Sequence, residues 1–89
     1  MNYGVYALRD IYYGFLTPTF QENDAVALRG FLQAIDSPDV SHSIIAYKPE
    51  HFSLFRLGEF NSREGKFKLL DVPELLCDGS AYARRSSDA

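Results

Sequence analysis

The chain has 89 residues, a net charge of −3, 46% hydrophobic and 24% charged residues, and one cysteine. Such a length builds one small domain, the composition excludes a disordered chain, and a lone Cys77 excludes an intramolecular disulfide and a cysteine-rich zinc site. The acidic balance argues against a dedicated duplex-DNA binder, whose affinity comes mainly from neutralising phosphates.

Tyr3-Gly-Val-Tyr-Ala-Leu-Arg9 reads as a strand, with Tyr3, Val5 and Ala7 on one side and Gly4, Tyr6 and Leu8 on the other. The next residues turn at Gly14, and Ile11, Tyr12, Tyr13 and Phe15 suit a second short strand. Thr17-Pro18-Thr19 reads as a loop, because proline fixes its own φ and pushes Thr17 towards extended conformations. A helix is predicted over residues 23–36. Asn23 or Asp24 caps it, and Leu28, Phe31, Leu32 and Ile35 recur at helical spacing to form one apolar stripe. Gly30 inside it costs about 1 kcal/mol relative to alanine, so this helix depends on packing.

Asp36-Ser37-Pro38-Asp39 ends the helix, and residues 40–47 are ambiguous, with Ile44, Ile45, Ala46 and Tyr47 reading as a buried strand. Two alternating runs, 53–60 and 66–71, then flank the turn-former cluster Asn61-Ser62-Arg63-Glu64-Gly65, which predicts a β-hairpin. With Phe60 opposite Lys66, one face carries Phe55, Leu57, Phe67 and Leu69 as core. The other face then carries Phe52, Leu54, Arg56, Gly58, Phe60, Lys66 and Lys68. Glu74-Leu-Leu-Cys77 suits a single helical turn, and residues 80–89 read as a flexible tail. The expected architecture is α+β: a small antiparallel sheet in β-α-β-β order with one main helix on one face, forming a single domain over residues 2–79.

The catalytic inventory is thin. His42 and His51 do not stand at metal-ligand spacing from each other or from Cys77. Ser41 and Ser43 flank His42, but on a strand they would point away from it. Gly58 and Gly65 are too far apart for a phosphate loop and precede no helix. No enzyme, metal or cofactor is expected. Cys77 reads as a small buried hydrophobe. No apolar run approaches the roughly 20 residues of a spanning helix, and Met1-Asn2-Tyr3 lacks a basic leader region. A soluble protein of a reducing cytoplasm is expected.

The mixed face of the hairpin offers another chemistry. Arg56, Lys66 and Lys68 could contact phosphates while Phe60 and Phe52 stack bases, the combination that single-stranded nucleic acid requires. Tyr6, Tyr12 and Tyr13 are further candidate stacking platforms, and Arg84-Arg85 could add phosphate contacts. A half-wet antiparallel sheet would show the same pattern with no ligand.

Four segments carry a family resemblance: Asn2-Tyr-Gly-Val-Tyr-Ala-Leu-Arg-Asp10, Gly14-Phe-Leu-Thr-Pro-Thr-Phe20, Asn23-Asp24-Ala25 with Leu28-Arg29-Gly30-Phe31, and Leu54-Phe-Arg-Leu-Gly-Glu-Phe60. In this order, and with Leu76-Cys-Asp-Gly-Ser80 after them, they resemble the small non-structural protein of gokushoviruses, microviruses with single-stranded circular DNA. The resemblance covers residues 2–79. It implies a phage accessory protein in the host bacterial cytoplasm, acting as replication turns towards single-stranded progeny and packaging. It supplies no binding residues to carry over.

Two functions stand open at this point. One is binding of single-stranded DNA, or of the replication complex on it. The alternative is an interaction module that docks on a phage or host replication or assembly protein without touching DNA. Exposed strand edges and many aromatics further predict a homodimer, by strand pairing or by sheet faces.

Overall fold

In the computed structural model, which describes residues 2–36 and 44–82, the longest uninterrupted apolar strand lies inside the sheet. This is β1 (Asn2–Asp10), bordered on one side by β2 (Gly14–Phe15) and β3 (Thr19–Gln21) in succession, and on the other by β4 (Phe52–Asn61). The last strand, β5 (Lys66–Asp78), pairs with β4 along its length, and all pairings are antiparallel. Asp10 closes the β1–β2 turn by accepting the Tyr12 N–H at 2.8 Å.

Helix α1 (Asp24–Ile35) starts where the side chain of Asn23 accepts the Val26 N–H, satisfying a donor that the first turn leaves free. Its buried residues are Ala27, Phe31 and Ile35, with Leu32 packed at the margin. These meet Tyr6, Phe52 and Leu54 from the sheet, and this is the core. Leu8, Leu76, Cys77 and Tyr82 pack around it, so Cys77 is half-buried. Gly30 lies on the same helix, where an added Cβ would meet nothing within 4 Å. Gly30→Ala should therefore raise stability by about 0.5–1 kcal/mol, through helix propensity alone. A urea midpoint that falls would contradict this.

The expected element order needs correction. Three strands precede the helix, because Thr19–Gln21 pairs with Gly4, Val5 and Tyr6 just after the proline loop. Ile44–Tyr47 is a helical turn, α2, and not a strand; among its described side chains Ala46 is buried and Tyr47 exposed. Residues 40–43 lie outside the described ones, as do the nucleophile–base candidates Ser41, His42 and Ser43. A 3-10 turn at Pro49–His51 leads into β4. Residues 74–77 are extended, because they continue the ladder opposite Phe55 and Leu54. Gly79–Tyr82 forms a second 3-10 turn that packs beside the first, and residues 83–89 lie outside the described ones.

The hairpin register is shifted by one residue from the expected one. Phe60 pairs with Phe67, Asn61 with Lys66 and Glu59 with Lys68, because the turn is closed by four residues, 62–65, and not five. Further along, Leu57 is an extra residue in β4: Val5 pairs with Gly58, and Tyr6 with Arg56. Such a bulge reverses which face successive side chains take. Leu57 is therefore only half-buried and not a core residue as expected. Gly58 follows at φ 158°, where a Cβ would overlap the Lys68 carbonyl oxygen and stand 2.7 Å from the Leu69 Cα. Close approach of the two strands requires glycine at this point.

Candidate nucleic-acid interface

Face assignment follows from the register and the bulge together. On the helix side of the sheet, β4 presents Phe52, Leu54 and Arg56, then, past the bulge, Glu59 and Asn61. On the outer side it presents Ser53, Phe55 and, past the bulge, Phe60. The five expected site residues are thus divided between environments.

Phe52 is 1% exposed and belongs to the core, so its ring has no free face to offer a base. Arg56 is already neutralised. Its Nη2 donates to Glu59 Oε1 at 3.0 Å, and its Nε stands 3.7 Å from Asp24 Oδ1. The same Asp24 oxygen accepts the Tyr6 hydroxyl at 2.6 Å. Burial, and then the bond to Asp24, push the Tyr6 phenol well above its ordinary value, so it remains a protonated donor. Tyr6 is therefore a buried strut and not a stacking platform. This polar cluster ties the first turn of α1 to the middle of the sheet.

Lys66 and Lys68 are exposed on β5, the outermost strand, and Lys68 stands across from Glu59. With Asn2, Glu59, Asn61 and Glu64 they line a shallow depression of about 280 Å³. Two acids offset two bases there, so the depression is not a basic patch. Phe60 lies on the other face, away from both lysines.

On that outer face the sheet gathers aromatic rings. Phe60 and Phe67 have centroids 4.8 Å apart, and Phe20 from β3 joins them at 5.5 Å and 6.1 Å. Phe15 and Phe55 meet edge-to-face at 5.2 Å. Much of this surface is open: Phe15 is 46% exposed, Phe20 49%, Phe67 55%, Leu69 63% and Leu75 52%. Phe20 is the site residue that the sequence reading missed. Its neighbours Thr19 and Gln21 give a strand-like alternation, but the preceding proline masked it. Tyr12 and Tyr13 are exposed at the β1–β2 turn, where Tyr12 packs edge-on against His51 at 5.1 Å. Among the described residues no group of three or more His, Cys, Asp or Glu could hold a metal ion, and no helix is long and apolar enough to cross a membrane.

Comparison with known families matches residues 3–82 to the phage ORF5 protein. The chain belongs to the phage ORF5 protein family. That match spans every element from β1 to the second 3-10 turn, so the aromatic face and the Tyr6–Asp24–Arg56–Glu59 cluster both fall inside the family region. No curated protein and no solved structure gave a significant match. An ORF5 protein of this architecture presents two different surfaces at the hairpin end of its sheet. One is aromatic and open; the other is polar and internally charge-balanced.

Proposed function

We propose that this phage ORF5 protein is a non-enzymatic accessory factor in the replication or packaging of a single-stranded DNA genome, and that it binds single-stranded DNA in the host bacterial cytoplasm. The gokushovirus resemblance supports the setting. The observation that carries the binding mode is the half-open group of Phe20, Phe60 and Phe67 on the outer face. Rings held by one another lose little freedom when a base stacks on them, and stacking accepts every base. Lys66 and Lys68 stand on the free edge strand, where a phosphate chain that leaves the aromatic face would pass them. Arg63 in the exposed turn adds a third cation at the same end. Arg56 and Phe52 drop out of this reading, one paired and the other buried.

Titration of a labelled oligothymidylate by fluorescence anisotropy tests it. Two or three phosphate contacts predict a log–log salt slope of about −1.4 to −2 on a single strand. Phe60→Ala with Phe67→Ala should weaken binding by roughly 1–3 kcal/mol for each base that loses its stack. Lys66→Ala with Lys68→Ala should flatten the slope while the thermal midpoint stays put. Absence of binding by the unaltered protein at low salt would discard the DNA reading. The alternative, docking on a phage or host replication or assembly protein, would then take its place. Arg56 favours that alternative, since two carboxylates already pair this cation of the hairpin.

A further inference from the structure

The outer face of the sheet also carries a charge arrangement at its other end, away from the aromatic trio. In the row that crosses the sheet at Ser53, Arg9 of β1 lies on one side and Asp78 of β5 on the other. Phe15 of β2 flanks Arg9 in the same row. Arg9 and Asp78 are both exposed, and among the described residues neither is held in an ion pair. The next row carries Ala7, Phe55 and Leu75, which is wholly apolar.

We propose that the outer sheet face around Ser53 and Phe55 is a homodimer interface, in which Arg9 of each copy pairs with Asp78 of the other. Consider a two-fold axis that lies between two stacked outer faces and runs along β4. It exchanges the β1 side with the β5 side. Arg9 of one copy then lies over Asp78 of the second copy, and the reverse pair forms by symmetry. Sheets stack about 10 Å apart, a gap that an extended arginine and an aspartate bridge between them. Ser53 and Phe55 sit on the axis, facing their own counterparts.

At this end of the face Phe15 is 46% exposed and Leu75 52%, beside the half-buried Phe55, so the apolar centre is small and the two charge pairs fix how the copies are arranged. Pairing through strand edges is disfavoured by the β5 edge itself. Pro73 has no N–H to donate, Leu76 is an unpaired bulge residue, and residues 70–73 have no partners on β4 opposite Leu57. The β5 edge is therefore a poor surface for a second copy. The interface goes beyond the DNA-binding reading, and its test needs no DNA.

Sedimentation equilibrium at tens of micromolar, with far-UV circular dichroism to check folding, decides it. The unaltered protein should sediment at twice the 10.1 kDa of one chain. Arg9→Asp and Asp78→Arg, each alone, should weaken the dimer at least about tenfold, because two symmetric pairs turn repulsive at once. The double variant, with the charges exchanged, should restore it. A monomer at all concentrations would overturn the proposal. So would a dimer indifferent to the single reversals, or one that the double variant fails to restore.

Discussion

Phe52→Ala is expected to remove about 3–5 kcal/mol of stability, the range for truncating a buried phenylalanine. The ring is enclosed among Tyr6, Ala27, Phe31, Ile35 and Leu54, where helix and sheet meet. Small domains have about 0.05–0.15 kcal/mol of stability per residue. On that scale this protein has only about 4–13 kcal/mol in all, so the variant would lose a large share. For a domain of this size each kcal/mol moves the thermal midpoint by about 4–8 °C. Urea unfolding followed by circular dichroism measures the loss. A change below about 1 kcal/mol would mean that Phe52 is not the centre of the core, and it would return the ring to the list of candidate contacts.

Gly79→Ala is the second large effect, about 3 kcal/mol of destabilisation, arising from backbone contact and not from a cavity. A Cβ at this position would overlap the Pro49 carbonyl oxygen and stand 2.7 Å from that of Phe52. Neither atom can rotate away, so the two 3-10 turns would have to separate. That junction joins the entry to β4 with the end of β5. Gly30→Ala serves as the counterpart: the same chemical change, in open space, with the opposite sign. Thermal midpoints of the two variants on opposite sides of the parent would satisfy both expectations. Equal midpoints would refute the Gly79 contact.

Local chemistry made much of this fold legible. The Asn23 cap and the spacing of Phe31 and Ile35 place α1 almost to the residue, and the β1 alternation separates Tyr6 and Leu8 from Val5 and Ala7 without saying which pair meets the helix. The hairpin was visible from Asn61 to Gly65. Its register was not, because a turn of four residues or five satisfies the same turn-formers, and a slip of one residue moves every side chain to the other face. The bulge at Leu57 then reversed the faces again within the strand, which alternation cannot reveal. Residues 74–77 misled for a different reason. Leu75, Leu76 and Cys77 are compatible with a helical turn locally, and only the ladder to Leu54 and Phe55 keeps them extended. The candidate site suffered from both errors. Arg56 and Phe52 share a parity with the core, whereas Phe20, which joins the aromatic group, is held there by a strand too short to announce itself.

The bulge at Leu57 has a consequence for how this protein can change over time. Substitutions anywhere in the sheet alter one side chain on one face. A change of length at the bulge is tolerated in the same limited way. With Leu57 lost, Gly58 would follow Arg56 in a regular ladder opposite Val5 and Tyr6, with Glu59 and Asn61 still on the helix side and Phe60 still outward. The extra residue is thus slack in the strand, and descendants that lack it would keep the same body and the same chemistry on each face.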